Sequence, residues 1–148
     1  MEMEIELKCR VVLGDPPPGV DFALQLGRGA DSALSQRQRS RGKDLQFETS
    51  VAIAGQDDRS GPDFRGPGVQ GPRGQRFIYV NSGTYAGQAN SQWGRRLKIP
   101  LVGITRDMIE RASRSSGAVL EARVPGTARD GGPNCATVKP FRGWTLKQ

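Results

Sequence analysis

Residues 61–101 read GPDFRGPGVQGPRGQRFIYVNSGTYAGQANSQWGRRLKIPL, and the fold turns on the two apolar segments within them. Over residues 75–81, Phe77 and Tyr79 fall on one face of a period-two pattern and Ile78 and Val80 on the other. Apolar groups on both faces predict a central strand covered on each side. Residues 94–104 predict a second strand. Pro100 breaks or bulges it, because a residue with no N–H cannot donate to a ladder and favours an edge. Residues 54–74 are a long Gly/Pro-rich loop and residues 82–92 a polar loop of Gly, Ser, Asn and Gln.

Working outward, the same period recurs. Ile5, Leu7, Cys9, Val11 and Leu13 share one face of residues 3–13, and Glu4, Glu6, Lys8 and Arg10 share the other. That is the pattern of a half-buried strand. Three prolines, Pro16 to Pro18, end it. Val20, Phe22, Leu24 and Leu26 mark a second strand, and Leu45, Phe47, Thr49, Val51 and Ile53 a third. Between them, residues 28–43 form a basic loop insert with Arg28, Arg37, Arg39, Arg41 and Lys43. One helix is predicted over 106–116, with Thr105 as N-cap, Asp107 at its positive end and Gly117 closing it. Strands return at 118–124, 134–139 and 141–146, with residues 125–133 as a turn. The expected class is mainly β (α+β): a small antiparallel barrel or strongly curved sheet of about seven or eight strands with one packed helix.

A chain of 148 residues fits a single domain able to bury a core without staples. It carries 22 Lys and Arg against 15 Asp and Glu, a formal net charge of +7. A positive field favours an anionic small molecule or an acidic protein surface, and lets the basic loop hold nucleic acid without reading its sequence. The amino-terminal segment MEMEIELKCR lacks the basic and apolar regions of a secretory signal. No apolar run approaches the ~18 residues of a membrane span. A soluble, cytoplasmic protein is expected, with Cys9 and Cys135 as free thiols and no membrane partner. Nothing in the sequence argues against a homo-oligomer.

The motif residues carry a resemblance. Asp63, Phe64, Gly66, Pro67, Val69, Gln70, Gly71, Pro72, Gly74, Arg76, Phe77 and Tyr79 are followed by Ser91, Trp93, Arg95, Arg96, Lys98, Ile99, Pro100 and Leu101. With the later GGPNCATV, they resemble an uncharacterised bacterial domain-of-unknown-function family. That resemblance covers most of the chain and implies no activity.

Histidine is absent, so Ser-His-Asp and Cys-His catalysis are excluded and the commonest metal ligand is missing. Two cysteines without histidine cannot build the usual four-ligand zinc site. The loop carboxylates Asp57, Asp58 and Asp63 read as solvated, and neither a metal nor a cofactor is expected. No phosphate-loop or dinucleotide fingerprint occurs. What remains is a Gly-rich connection with Arg73 and Arg76, able to form an anion-binding nest, beside Trp93, Arg95 and Arg96. The reading is a non-catalytic binding module for a polar, anionic ligand held by Asp63, Gln70, Arg73, Arg76, Tyr79, Trp93, Arg95 and Arg96. The alternatives are a histidine-free enzyme using Asp63, Tyr79, Tyr85 or arginines, and a structural protein in which these side chains satisfy one another. The direction in which Asp63, Gln70, Arg76, Trp93 and Arg95 point separates the three.

Overall fold

A computed structural model describes residues 5–26, 33–57, 61–72, 74–84, 95–130 and 138–148. Among them are β1 (Ile5–Gly14), β2 (Val20–Leu26), β3 (Ala33–Arg39), β4 (Leu45–Asp57), β5 (Gly61–Arg65), β6 (Val69–Gln70), β7 (Phe77–Thr84) and β8 (Arg95–Pro100). Then come α1 (Arg106–Arg114), β9 (Val119–Pro125), β10 (Arg129–Asp130), β11 (Val138–Lys139) and β12 (Thr145–Lys147). The protein is mainly β, with two larger sheets, one curled into a half-barrel, and a small β10–β11 hairpin. Among the described residues no helix is long and apolar enough to cross a membrane.

The first sheet has the order β12-β9-β1-β4-β5. Its backbone is the β1–β4 pair, antiparallel in unbroken register from Ile5↔Ile53 to Leu13↔Leu45. Pairing sets the alternating apolar residues of both strands on the same face, as the period requires. Leu7, Cys9, Val11 and Leu13 join Phe47, Val51 and Ile53 in the core. Burial pushes the Cys9 thiol up to about 12, since a low-polarity surrounding disfavours the thiolate. The second sheet has the order β3-β2-β7-β6, with β8 also on β7. It supplies Phe22, Leu24, Ile78, Val80, Leu97 and Ile99 from the opposite side. Fully buried residues such as Phe22 and Phe47 contribute about 1.5–3 kcal/mol each.

Helix α1 forms as the sequence predicts. Thr105 caps it by accepting from the Met108 N–H at 3.1 Å, a contact that contributes about 1 kcal/mol. Ile109 is its buried residue, and Met108 and Ala112 pack beside it. The helix ends at Ser115, ahead of Gly117.

The structure corrects the sequence reading in four places. Residues 33–39, expected within a basic loop, are strand β3, paired with β2. The long loop expected at 54–74 is largely strand: β4 runs on to Asp57, and β5 and β6 follow. The pairing is not wholly antiparallel, for β9 runs parallel to β1 from Cys9↔Leu120 to Gly14↔Pro125. The chain passes through α1, which rests on β1, before entering β9. Such a crossover is what parallel neighbours need. Finally, residues 140–144 are not strand, and only 145–147 pair with β9.

Candidate functional site

β7 organises the predicted site. β8 lies along one of its edges from Phe77↔Pro100 to Ser82↔Arg95. β2 and β6 therefore share the other edge, β2 at residues 80–84 and β6 at 77–78. Where β2 leaves and β6 enters, Gln25 and Gln70 meet. The Gln25 Nε2 donates to Gln70 Oε1 at 3.5 Å, and Gln70 Nε2 to the Gln25 carbonyl at 3.4 Å. Both glutamines are buried, and the pair closes the fork between the strands.

Asp63 and Arg76 form a second knot. Asp63 is 4% exposed and its ion-pair partner Arg76 13%. The carboxylate receives Arg76 on Oδ1 at 3.3 Å and Arg65 on Oδ2 at 2.8 Å. Arg76 also donates to the Gly71 carbonyl, and its own carbonyl accepts from the Leu101 N–H at 2.9 Å. One residue thus ties β5 of the first sheet to the turn after β6, to β7 and to the end of β8 of the second. Gly71 must be glycine for this turn to close. Its φ is +111°, and a Cβ there would lie 2.0 Å from the Gln75 carbonyl oxygen.

Asp63, Gln70 and Arg76 are brought together by the fold and engaged with it, although the buried Arg76 Nε has no hydrogen-bond partner among the described residues. Tyr79 and Arg96 meet elsewhere, on the outer face of β7 and β8, where the guanidinium carbon sits 5.1 Å from the ring centroid. Cation–π contact at that distance is modestly attractive. Asn81, the register partner of Arg96, is buried with its Oδ1 unpartnered among the described residues. Arg73, Trp93, Tyr85, Asp58 and Cys135 lie outside the described residues, as does the side chain of Arg95.

A cavity that the sequence reading missed lies on the outer face of the first sheet. It has a volume of about 690 Å³, and Glu121, Arg123, Thr145 and Lys147 line it beside Asp15, Thr127 and Arg142. Glu121 and Thr145 are register partners on β9 and β12, so their side chains share the outer face. The wall at 140–143 is held by Trp144, whose buried indole N–H donates to the Pro100 carbonyl at 2.9 Å. Two of its lining residues, Glu121 and Arg123, belong to a row of alternating charges on the same face. Arg10 pairs with Glu48 at 2.9 Å and Glu121 at 3.2 Å. Arg123 reaches Glu121 at 3.9 Å and Asp44 at 2.9 Å. Asp44 also accepts from the Asp15 N–H at 3.1 Å. That hydrogen bond and, after it, Arg123 hold the Asp44 carboxyl below its ordinary value. Arg142 and Lys147 have no ion-pair partner among the described residues. A usable signal was present in the sequence: Glu121 and Arg123 sit at strand spacing opposite Leu120, Ala122 and Val124. The approach of the 140–143 segment was not readable, because it depends on the Trp144 anchor.

Residues 7–147 match a family of unknown function, DUF5990, and the chain belongs to that family. No curated protein and no solved structure matches it.

Proposed function

We propose that this chain is a non-catalytic binding domain for a polar, anionic ligand, and that the ligand sits in the cavity over β9 and β12. One observation carries the reading. In a cavity of about 690 Å³, the size range of small-molecule sites, the floor charges are held by one another. Arg142 and Lys147 are left to meet an incoming anion. Glu121, largely buried and paired with Arg10 at 3.2 Å, is already fixed before a ligand enters, which lowers the ordering cost of binding. A guanidinium and an ammonium lining one cavity suit a phosphate or a carboxylate.

A second reading has its own support. Asp63, Gln70 and Arg76 are engaged inside the fold, which is what a structural or interaction protein with no small ligand requires.

Thermal unfolding in the presence of inorganic phosphate, pyrophosphate or citrate separates the two. At a hundredfold excess over Kd, binding to the native state adds about 2.7 kcal/mol, a Tm rise of roughly 5–10 °C. Sodium chloride should shrink that rise. The Arg142→Ala/Lys147→Ala double variant should lose it while its stability without ligand stays within about 0.5 kcal/mol of the parent. No shift with any of the three anions, or a shift that survives in the double variant, leaves the structural reading standing.

A further inference from the structure

β4 is the long strand of the first sheet, and the edge it turns away from β1 is covered in three different ways. An antiparallel residue points its N–H and C=O to the same edge. Gln46, Glu48 and Ser50 therefore present theirs away from β1. From Ala52 onward that edge is taken by β5. At Ser50 it is covered by the turn after β5: Gly66, with φ +138°, comes so near that a Cβ would lie 2.9 Å from the Ser50 carbonyl oxygen. The next carbonyl of that turn, on Pro67, accepts from the Thr49 hydroxyl.

At Gln46 and Glu48 no described strand pairs with this edge, and two side-chain amides from β3 stand in its place. Gln36 Nε2 donates to the Glu48 carbonyl at 2.6 Å, and the Glu48 N–H donates to Gln36 Oε1 at 2.9 Å. Gln38 Nε2 donates to the Gln46 carbonyl at 2.9 Å. A primary amide carries the same donor and acceptor as a peptide group. The Gln36 contact thus reproduces one rung of a β-ladder without a strand. Gln36 adopts φ +54°, a left-handed conformation uncommon for a residue with a Cβ.

We infer that Gln36 and Gln38 guard this edge, occupying the positions through which β4 would otherwise pair with β4 of a second copy of this chain. Open strand edges are templates for such pairing. An antiparallel copy centred on Phe47 sets Gln46 of one chain opposite Glu48 of the other, so no like charges meet at the two rungs that the turn over Ser50 leaves open.

The test is sedimentation velocity over a concentration series on the parent and the Gln36→Ala/Gln38→Ala double variant. Both amides act at solvent-exposed positions, so water replaces them and the fold should survive, as circular dichroism would show. The double variant should sediment as a larger species than the parent at equal concentration. Its Glu48 amide should exchange faster than in the parent when dilute and regain protection as the larger species forms. A folded double variant that stays at the parental size overturns the proposal, whether or not it takes up other strands. So does association that leaves the Glu48 amide unprotected. Should the double variant fail to fold, Gln36→Glu, which keeps the acceptor and loses the donor, is read by the same two measurements.

Discussion

The junction around Asp63 and Arg76 and the cavity over β9 and β12 invert what their sequences suggest. The first is dense with arginine, glycine, glutamine and an aspartate, and it closes largely on itself, leaving the buried Arg76 Nε without a partner among the described residues beside a pocket of about 240 Å³. Asp63 meets two arginines, Gln70 meets Gln25, and Gly71 offers its carbonyl to Arg76. The second is built from an ordinary amphipathic strand and a short carboxy-terminal segment, yet it holds the larger opening. Polar residues at unusual density mark a place where chain segments must be tied together. They mark a ligand site only where whole charged groups stay unpaired around a cavity large enough for a ligand.

Removing Arg76 should have the largest effect. Among the described residues Asp63 would keep only Arg65, which is largely exposed, and a buried carboxylate that loses its partner typically costs about 3–5 kcal/mol. Arg76→Ala measured by urea unfolding should fall in that range. Replacing both members, as in Asp63→Leu/Arg76→Met, should cost less than the two single changes summed, because no lone charge is left. A stable, folded Arg76→Ala protein that no longer binds phosphate would make the junction a site and dissolve the contrast with the cavity.

Next in size is a pair of glycines from one turn. Gly71→Ala places a Cβ 2.0 Å from a backbone oxygen at φ +111°, whereas Gly74 has φ +83° with nothing within 4 Å. The first substitution should cost more than about 2–3 kcal/mol, since strain and collision add. The second should cost roughly 1–2 kcal/mol from the left-handed backbone alone. Equal costs would show that the turn gives way, and that Gly71 is not what draws Arg76 into place.

Strands with an apolar face were legible in the sequence. β1 and β4 set alternate apolar residues against one core, and the period-two pattern reports that directly. β2 is buried on both faces, and β7, read as apolar on both faces, buries Ile78 and Val80 and leaves Phe77 and Tyr79 half-buried. Helix α1 was legible because a capping threonine and a buried isoleucine fall at helical spacing. β3 was not, because an edge strand buries little. Its Gln36 and Gln38 bond to the backbone of β4, and its Arg37 and Arg39 pair with Asp21, so the alternation reads as polar throughout. β5 and β6 were hidden by the glycines and prolines that bend the chain between sheets. Asp63, Gln70 and Arg76 were singled out by type and spacing. Gln25 reaches Gln70 only because β2 and β6 share one edge of β7, so a binding role and a structural role looked alike. Of the cavity, only the strand spacing of Glu121 and Arg123 was legible, since Arg142 joins them only through the pairing of β12 with β9.

The smallest expected effect tests the cavity from its rim. Asp44 pairs with Arg123 at the surface, both side chains largely exposed, so the pair adds little to stability. Its carboxyl lies below the ordinary value, first because of the Asp15 N–H and then because of Arg123. A lowered folded value means that its contribution is present above the unfolded value and lost as pH falls through the folded one. Between about pH 5 and pH 3, the parent should therefore lose slightly more stability than Asp44→Asn, measured as Tm against pH. At neutral pH the same substitution takes from Arg123 its nearest anion. Arg123 lines the cavity, so its charge is then released toward the ligand and phosphate should bind a few-fold more tightly by calorimetry, an electrostatic gain that salt should erase. Unchanged or weaker phosphate binding in Asp44→Asn would mean that Arg123 takes no part in holding the anion, and the site would contract to Arg142 and Lys147.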